Sequence, residues 1–239
     1  MSISPTKGLT FADGNNDKST AMAYFTPTDL AVGASLKLSF NYSFTQTAVD
    51  ANAFMFGLYN SGGARLTKDS SNNFANDSLF NSYTGYAVSG VFGADLTDKG
   101  SDHIEARNLT GSSLLSLDSY TQGTSYKQSG AATPGQMYTA SMSIARTAAG
   151  VTVTSQIGNT MMTQTYTGSM FTKFDAVGVF SNGNSGSFTM DNIQLDYVGA
   201  PEPSTFYALG LFGAAVFGRT SLRAGRKLLE KFLPRLAAS

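Results

Sequence analysis

Strict alternation of apolar and polar residues over 35–45 constrains the fold of this chain more than any other feature. Leu36, Leu38, Phe40, Tyr42 and Phe44 occupy every second position, and only Lys, Ser or Asn stands between them. Successive side chains of a β-strand point to opposite faces of its sheet. The segment is therefore predicted to be a long strand with one face in a core and the other toward solvent.

The remainder of the first 199 residues continues in the same way. Further strands are predicted over 8–11, 53–59, 85–92, 103–109, 137–146, 151–157, 163–167, 174–180 and 186–198. Residues 53–59 are apolar without alternation, which indicates a strand buried more fully than its neighbours. The apolar phase of the last strand slips by one residue at Asp191 and Asn192, which predicts a β-bulge. With no helix predicted before residue 205, the body is predicted to be an all-β, antiparallel jelly-roll sandwich over 1–199.

Charge and cysteine content exclude several classes of site. Of 16 basic and 16 acidic residues, six basic and two acidic fall within 200–239, which leaves ten basic and fourteen acidic in the body. A mildly acidic body argues against a nucleic-acid partner. The chain has no cysteine, so a disulfide framework or a thiolate metal site is excluded. Its single histidine, His103, leaves little from which to build a zinc site or a nucleophilic triad.

The tail, residues 200–239, has three parts in a fixed order. Pro201, Glu202 and Pro203 form a rigid extended triplet, because proline lacks an N–H donor and disfavours helix in the residue before it. An apolar run predicts a membrane-anchoring helix with Phe206, Leu209, Leu211, Phe212, Val216 and Phe217 in it. A basic stop follows at Arg219, Arg223, Arg226 and Lys227. A surface helix docked on the body is the alternative interpretation.

This order resembles the PEP-CTERM sorting signal of Gram-negative bacteria. The resemblance implies that an exosortase, a membrane-embedded processing enzyme, reads the triplet Pro201–Glu202–Pro203 and cleaves near it. It also implies an exported protein that is first anchored in the inner membrane and then released to the cell surface or extracellular matrix. The first residues contain neither a basic region nor an apolar core. Either an N-terminal signal peptide is missing from this sequence, which we expect, or the export interpretation is wrong.

Three short sequence motifs in the body resemble the concanavalin A-like sandwiches that precede PEP-CTERM tails. They are FMFGLYNSG at 54–62, TGY at 84–86 and FTMDNI at 188–193. The resemblance implies a lectin-like or laminin-G-like fold. It supplies no sugar site by itself, so the ligand must be sought among the residues of the loops.

Loop tyrosines are the candidate carbohydrate contacts. Tyr59, Tyr83 and Tyr86 lie in or beside predicted loops, where an aromatic ring can stack on a sugar, and Asn60, Asn72 and Asn73 supply amide donors. The alternative interpretation is that these tyrosines cover the edge of the core. Glycoside hydrolysis needs two carboxylates across a cleft, and Glu105 is the only glutamate of the body. The chain is therefore predicted not to be an enzyme.

A structural calcium ion is the one candidate cofactor. Asp13, Asn15 and Asp17 have the one-three-five spacing of a calcium loop, although the acid that would complete an EF-hand is replaced by Tyr24. Asp191 on the last strand is the candidate fourth ligand. The alternative is an Asx-rich turn and an aspartate at a bulge. The leading hypothesis is thus a non-catalytic, exported surface or matrix protein. The alternative is a lectin-like module that binds extracellular polysaccharide, and a glycoside hydrolase is the third and least favoured hypothesis.

Overall fold

The computed structural model describes residues 9–11, 19–45, 54–67, 78–90, 102–108, 114, 120–126, 133–168, 170–181 and 188–200. Its strands are β1 Leu9–Phe11, β2 Ser19–Asp29, β3 Ser35–Phe44, β4 Phe54–Asn60, β5 Thr84–Gly90, β6 Asp102–Arg107, β7 Tyr120–Tyr126, β8 Tyr138–Arg146, β9 Val151–Ile157, β10 Thr160–Tyr166, β11 Lys173–Ser181 and β12 Phe188–Val198. A 3-10 helix, Ser78–Ser82, precedes β5. The predicted all-β, two-sheet antiparallel sandwich is confirmed.

Each sheet has six described strands. Sheet A has the order β1-β12-β3-β8-β9-β10, and sheet B has the order β2-β11-β4-β5-β6-β7. In β3 the five alternating apolar side chains are all buried between the sheets, as predicted. The rings of Phe40 from sheet A and Phe56 from sheet B meet edge to face, with centroids 5.0 Å apart. Alternation along β3 therefore identifies the inner face of sheet A.

Strand β4 is buried on both of its faces. Phe54, Phe56 and Leu58 join the core between the sheets, whereas Met55 and Tyr59 belong to a second apolar cluster on the opposite side. The second cluster comprises Met55, Tyr59, Phe80, Tyr83, Ala87, Leu114, Tyr120, Ala176 and Phe180. We call it the outer layer, because it covers the face of sheet B that points away from sheet A. It explains why 53–59 lacks alternation.

The predicted bulge in the last strand is confirmed. The register of β12 against β3 shifts between Asp191 and Gln194, and Asn192 has a φ of 50°. A left-handed backbone of this kind suits asparagine better than most residues. On the two sides of the bulge, Met190 and Leu195 both reach the core despite their different phases.

Two strands were not predicted, and each lies at an edge of sheet B. Strand β2 contains Pro27, whose missing N–H is tolerated at an edge because only one side of the strand is paired there. Strand β7 is rich in polar residues and contains Gly123. Neither strand carries the apolar alternation by which the inner strands are recognised.

Candidate functional site

The three tyrosines predicted to contact a glycan are enclosed in the protein. Tyr59 and Tyr83 belong to the outer layer and Tyr86 to the core between the sheets, and none exposes more than 1% of its surface. Their hydroxyls are used internally: Tyr59 bonds Tyr120, Tyr83 donates to the carbonyl of Ala64, and Tyr86 accepts from an amide. Burial raises the pKa of all three. Stacking on a sugar would require the outer layer to open at Tyr59 and Tyr83, and the core between the sheets to open at Tyr86.

One end of sheet B is organised by a buried arginine. Arg107, the last residue of β6, has no exposed surface. Its Nε donates to the carbonyl of Tyr83 at 3.0 Å, and its Nη2 donates to the carbonyl of Phe80 at 2.9 Å. The guanidinium also lies 5.4 Å from the centre of the Tyr120 ring. Arg107 therefore holds the segment 78–83 against the sheet.

A buried aspartate organises a second segment in the same way. Asp175 lies at the irregularity in β11 between Phe174 and Ala176. Its carboxylate accepts the backbone N–H of Ser61 and the hydroxyl of Ser61, each at 2.7 Å. Arg65 donates to the same carboxylate at 3.1 Å. Asp175 therefore holds the segment 61–65, which follows β4.

The segments 61–65 and 78–83 contact each other. The hydroxyl of Ser82 donates to the carbonyl of Ser61 at 2.9 Å. Gly62 has a φ of 63°, and a Cβ placed on it would lie 3.1 Å from the Cβ of Ser82. Glycine at this position therefore provides both the turn and the close approach of the two segments.

Polar side chains line this end of sheet B. We call Asn60, Asn81, Ser82 and Asn108 the polar rim. Strand β4 pairs with β5 at Asn60–Thr84, and β5 pairs with β6 at Gly85–Arg107. Asn60 and Asn108 therefore flank Thr84 at the ends of three adjacent strands. Asn81, Ser82 and Asn108 are exposed. The rim offers amides and a hydroxyl, both donors and acceptors, without a formal charge.

A buried acid, Glu105, lies on the outer face of sheet B, two residues before Arg107 on β6. Glu105 has no exposed surface; its Oε1 accepts the hydroxyl of Ser89 at 3.0 Å, and its Oε2 has no hydrogen-bond partner. Burial raises the pKa of this carboxyl to about 7. His103 lies two residues away, and burial lowers its pKa. Asp191 and Asp196, the two acids of β12, lie on sheet A rather than beside Glu105.

The predicted calcium ligands are divided between described and undescribed residues. Asp13, Asn15 and Asp17 lie outside the described residues. Asp191 is at the bulge of β12, and its Oδ1 is buried without a hydrogen-bond partner. Within the described ranges, no three acidic or histidine side chains are grouped closely enough to hold a metal ion. The calcium site remains a prediction.

The sorting triplet at 201–203, the predicted membrane helix and the basic stop all lie outside the described residues. Among the residues that are described, no helix is both long enough and apolar enough to cross a membrane. The predicted anchor is therefore untested by the structure.

Comparison with known proteins identifies the fold. No protein-family model matches the chain, and no curated protein matches it. The carbohydrate recognition domain of Emp46p in its metal-free form superposes with a TM-score of 0.50 at 14% identity, covering 80% of this chain and 82% of that one. Its potassium-bound form gives 0.50 at 12% identity, covering 79% and 82%. A legume lectin-like domain from Entamoeba histolytica gives 0.47 at 14% identity, covering 84% and 87%. The likeness to Emp46p shows that the body has the lectin-type, concanavalin A-like sandwich fold that its motifs implied.

Proposed function

We propose that the body is a non-catalytic carbohydrate-binding module whose site is the polar rim of sheet B. The observation that carries this proposal is the construction of the rim: two loop segments are fixed by separate buried charges, Arg107 and Asp175, and meet at Ser61 and Ser82. Such preorganisation lowers the entropy cost of binding a polar ligand. The lectin-type fold supports the same function, since the Emp46p domain with that fold is described as a carbohydrate recognition domain.

The chemistry of the rim favours a ligand rich in hydroxyl groups, such as a sugar. A glycan presents hydroxyl groups that donate and accept hydrogen bonds, and amide side chains such as Asn81 and Asn108 match both roles. Arg65, which is partly exposed beside the rim, adds further donors from its guanidinium. The rim itself brings no carboxylate that would repel an acidic sugar, so the charge of the glycan is left for the experiment to decide.

A panel of immobilised neutral and acidic oligosaccharides tests this function. We expect the full chain to bind at least one member, and Asn81→Ala to weaken that binding about tenfold through loss of one or two hydrogen bonds. Asn81 is exposed, so the change should leave the fold intact. Gln156→Ala, which removes an exposed amide from sheet A, is the matched control and should bind like the parent. Equal binding by both variants would rule out the rim.

We further propose that the tail directs export and sorting of this module to the cell surface or matrix. The order of the triplet, the apolar run and the basic stop supports it. We expect Glu202→Ala to abolish cleavage and to leave a membrane-retained precursor in cells that express an exosortase. Mass spectrometry of the recovered chain measures this directly. Normal maturation of the variant would show that the triplet is not read.

A further inference from the structure

Glu105 occupies a position where the protein offers little to solvate a charge. Its cross-strand neighbours are Gln122 on β7 and, on β5, Ala87, which is followed by Gly57 and Gly178 in the same row. Tyr59 lies over this row, since a Cβ on Gly57 would be 2.6 Å from the Tyr59 hydroxyl. On the side of β5 and β4, Glu105 is therefore enclosed between small residues and the tyrosines of the outer layer. Neither alanine nor glycine has a side-chain donor for the free Oε2.

The polar side chains that the structure describes near Glu105, apart from Ser89, have other partners. On β6, Arg107 donates to two carbonyls and His103 is bonded to the backbone of Gly123. On β4 and β7, Tyr59 and Tyr120 bond each other, and Tyr120 donates onward to a carbonyl. Tyr166 on β10, which interacts electrostatically with Glu105, donates to the carbonyl of Ile104. Ser89 on β5 is left as the one partner of the carboxyl among the described residues.

Protonation of Glu105 is therefore coupled to the closed outer layer. Burial raises the pKa from 4.5 to about 7, so the folded protein holds a proton that the opened form would release. The stability that this proton contributes is fully present below about pH 4.5 and is lost as the pH rises through about 7. Above that pH the closed layer encloses an unpartnered carboxylate, which favours any opening that admits water.

We infer that Glu105 is a proton-controlled switch for the outer layer of sheet B, which is closed when the carboxyl is protonated and opens when it is ionised. Because the outer layer includes Phe80 and Tyr83, the residues whose carbonyls Arg107 holds, opening also displaces the segment that carries Asn81 and Ser82. The part of this inference by which the switch regulates glycan binding rests on the proposed function. The opening of the outer layer itself is measured without any glycan.

Amide hydrogen exchange on the full chain, corrected for intrinsic rates, tests the switch. If the opened form titrates normally, we expect opening around β5 and β6 to become on the order of 50-fold more frequent between about pH 5 and pH 8. In Glu105→Gln, an isosteric side chain that cannot ionise, this increase should be absent. His103→Gln is the control, and it should retain the increase. The same pH response in Glu105→Gln as in the parent would overturn the inference.

A direct titration keeps the inference testable even if Glu105→Gln fails to fold. The chain has only three glutamates, Glu105, Glu202 and Glu230. Carbon-13 labelling of glutamate therefore gives three carboxyl resonances, and Glu202→Gln and Glu230→Gln assign two of them. We expect the third to titrate near neutral pH. Titration of all three near the ordinary value would contradict the switch, whereas failure of the oligosaccharide panel alone would leave the switch intact and reject only the proposed function.

Discussion

Replacing Arg107 with methionine is expected to lower the free energy of unfolding by about 3–4 kcal/mol. Methionine keeps much of the side-chain volume but donates no hydrogen bond, so the carbonyls of Phe80 and Tyr83 lose a charged donor inside the protein. The Tyr83 carbonyl loses its donor inside the protein, which costs about 1–3 kcal/mol, whereas the Phe80 carbonyl keeps the bond from the Tyr83 N–H and loses only its charged donor, a bond of about 1.5–3 kcal/mol. For a domain whose whole stability is on the order of 5–15 kcal/mol, this is a large fraction.

Urea unfolding followed by tyrosine fluorescence measures this effect, and the chain contains no tryptophan to obscure the signal. Arg107→Lys should be intermediate, because it keeps the charge but not the planar fork that reaches two carbonyls. Lys173→Met removes an exposed cation from β11 and should change stability by less than about 0.5 kcal/mol. An Arg107→Met protein as stable as the Lys173→Met control would mean that Arg107 does not hold the segment 78–83.

Replacing Asp175 with asparagine is expected to lower the free energy of unfolding by about 2–4 kcal/mol. The shape is retained, but the amide cannot accept hydrogen bonds at both of its terminal atoms. If its nitrogen takes the place of Oδ2, the bonds from the Ser61 hydroxyl and from Arg65 are both disrupted, and if it takes the place of Oδ1, the backbone N–H of Ser61 loses its acceptor. Burial makes each lost charge-assisted bond costly. The segment 61–65 should then become less ordered, and binding of any glycan at the rim should weaken as well.

A comparison of Asp175→Asn with Arg65→Gln separates the contribution of the buried hydrogen bonds to Ser61 from that of the ion pair with Arg65. The side chain of Arg65 is 40% exposed, so its pairing with Asp175 should contribute less than about 1 kcal/mol. Arg65→Gln should therefore be far milder than Asp175→Asn in the same urea experiment. Equal losses in the two variants would contradict the assignment of Asp175 as the anchor of Ser61.

Much of the fold could be predicted because β3, β8 and β9 carry a regular alternation that only a half-buried strand explains. The slip at Asp191 also predicted the bulge correctly, since two apolar phases in one strand must both reach the core. The edge strands β2 and β7 were missed for the opposite reason. An edge strand needs one partner only, so its sequence can include Pro27 or a run of polar residues.

The candidate site was harder to predict, because its position depends on the outer layer. The prediction that Tyr59 and Tyr83 stand in open loops assumed a sandwich with one core, whereas both rings pack in a second cluster. A signal was present: the unbroken apolar run of β4 indicates that both of its faces are buried. Strand β6 gave no comparable signal for Arg107, because it also contains Asp102, His103 and Glu105. Asp175 did give one, since a single charge within the otherwise apolar run 174–180 requires buried partners. The identity of those partners depends on loop geometry, which alternation does not encode.

The measurement that tests this account most directly is hydrogen exchange of the full chain with and without an oligosaccharide that the panel identifies. We predict that the sugar slows exchange in 61–65 and 78–83, the segments that Asp175 and Arg107 hold at the end of sheet B. Protection confined to β8, β9 and β10 of sheet A, or the absence of binding by any oligosaccharide, would contradict the account.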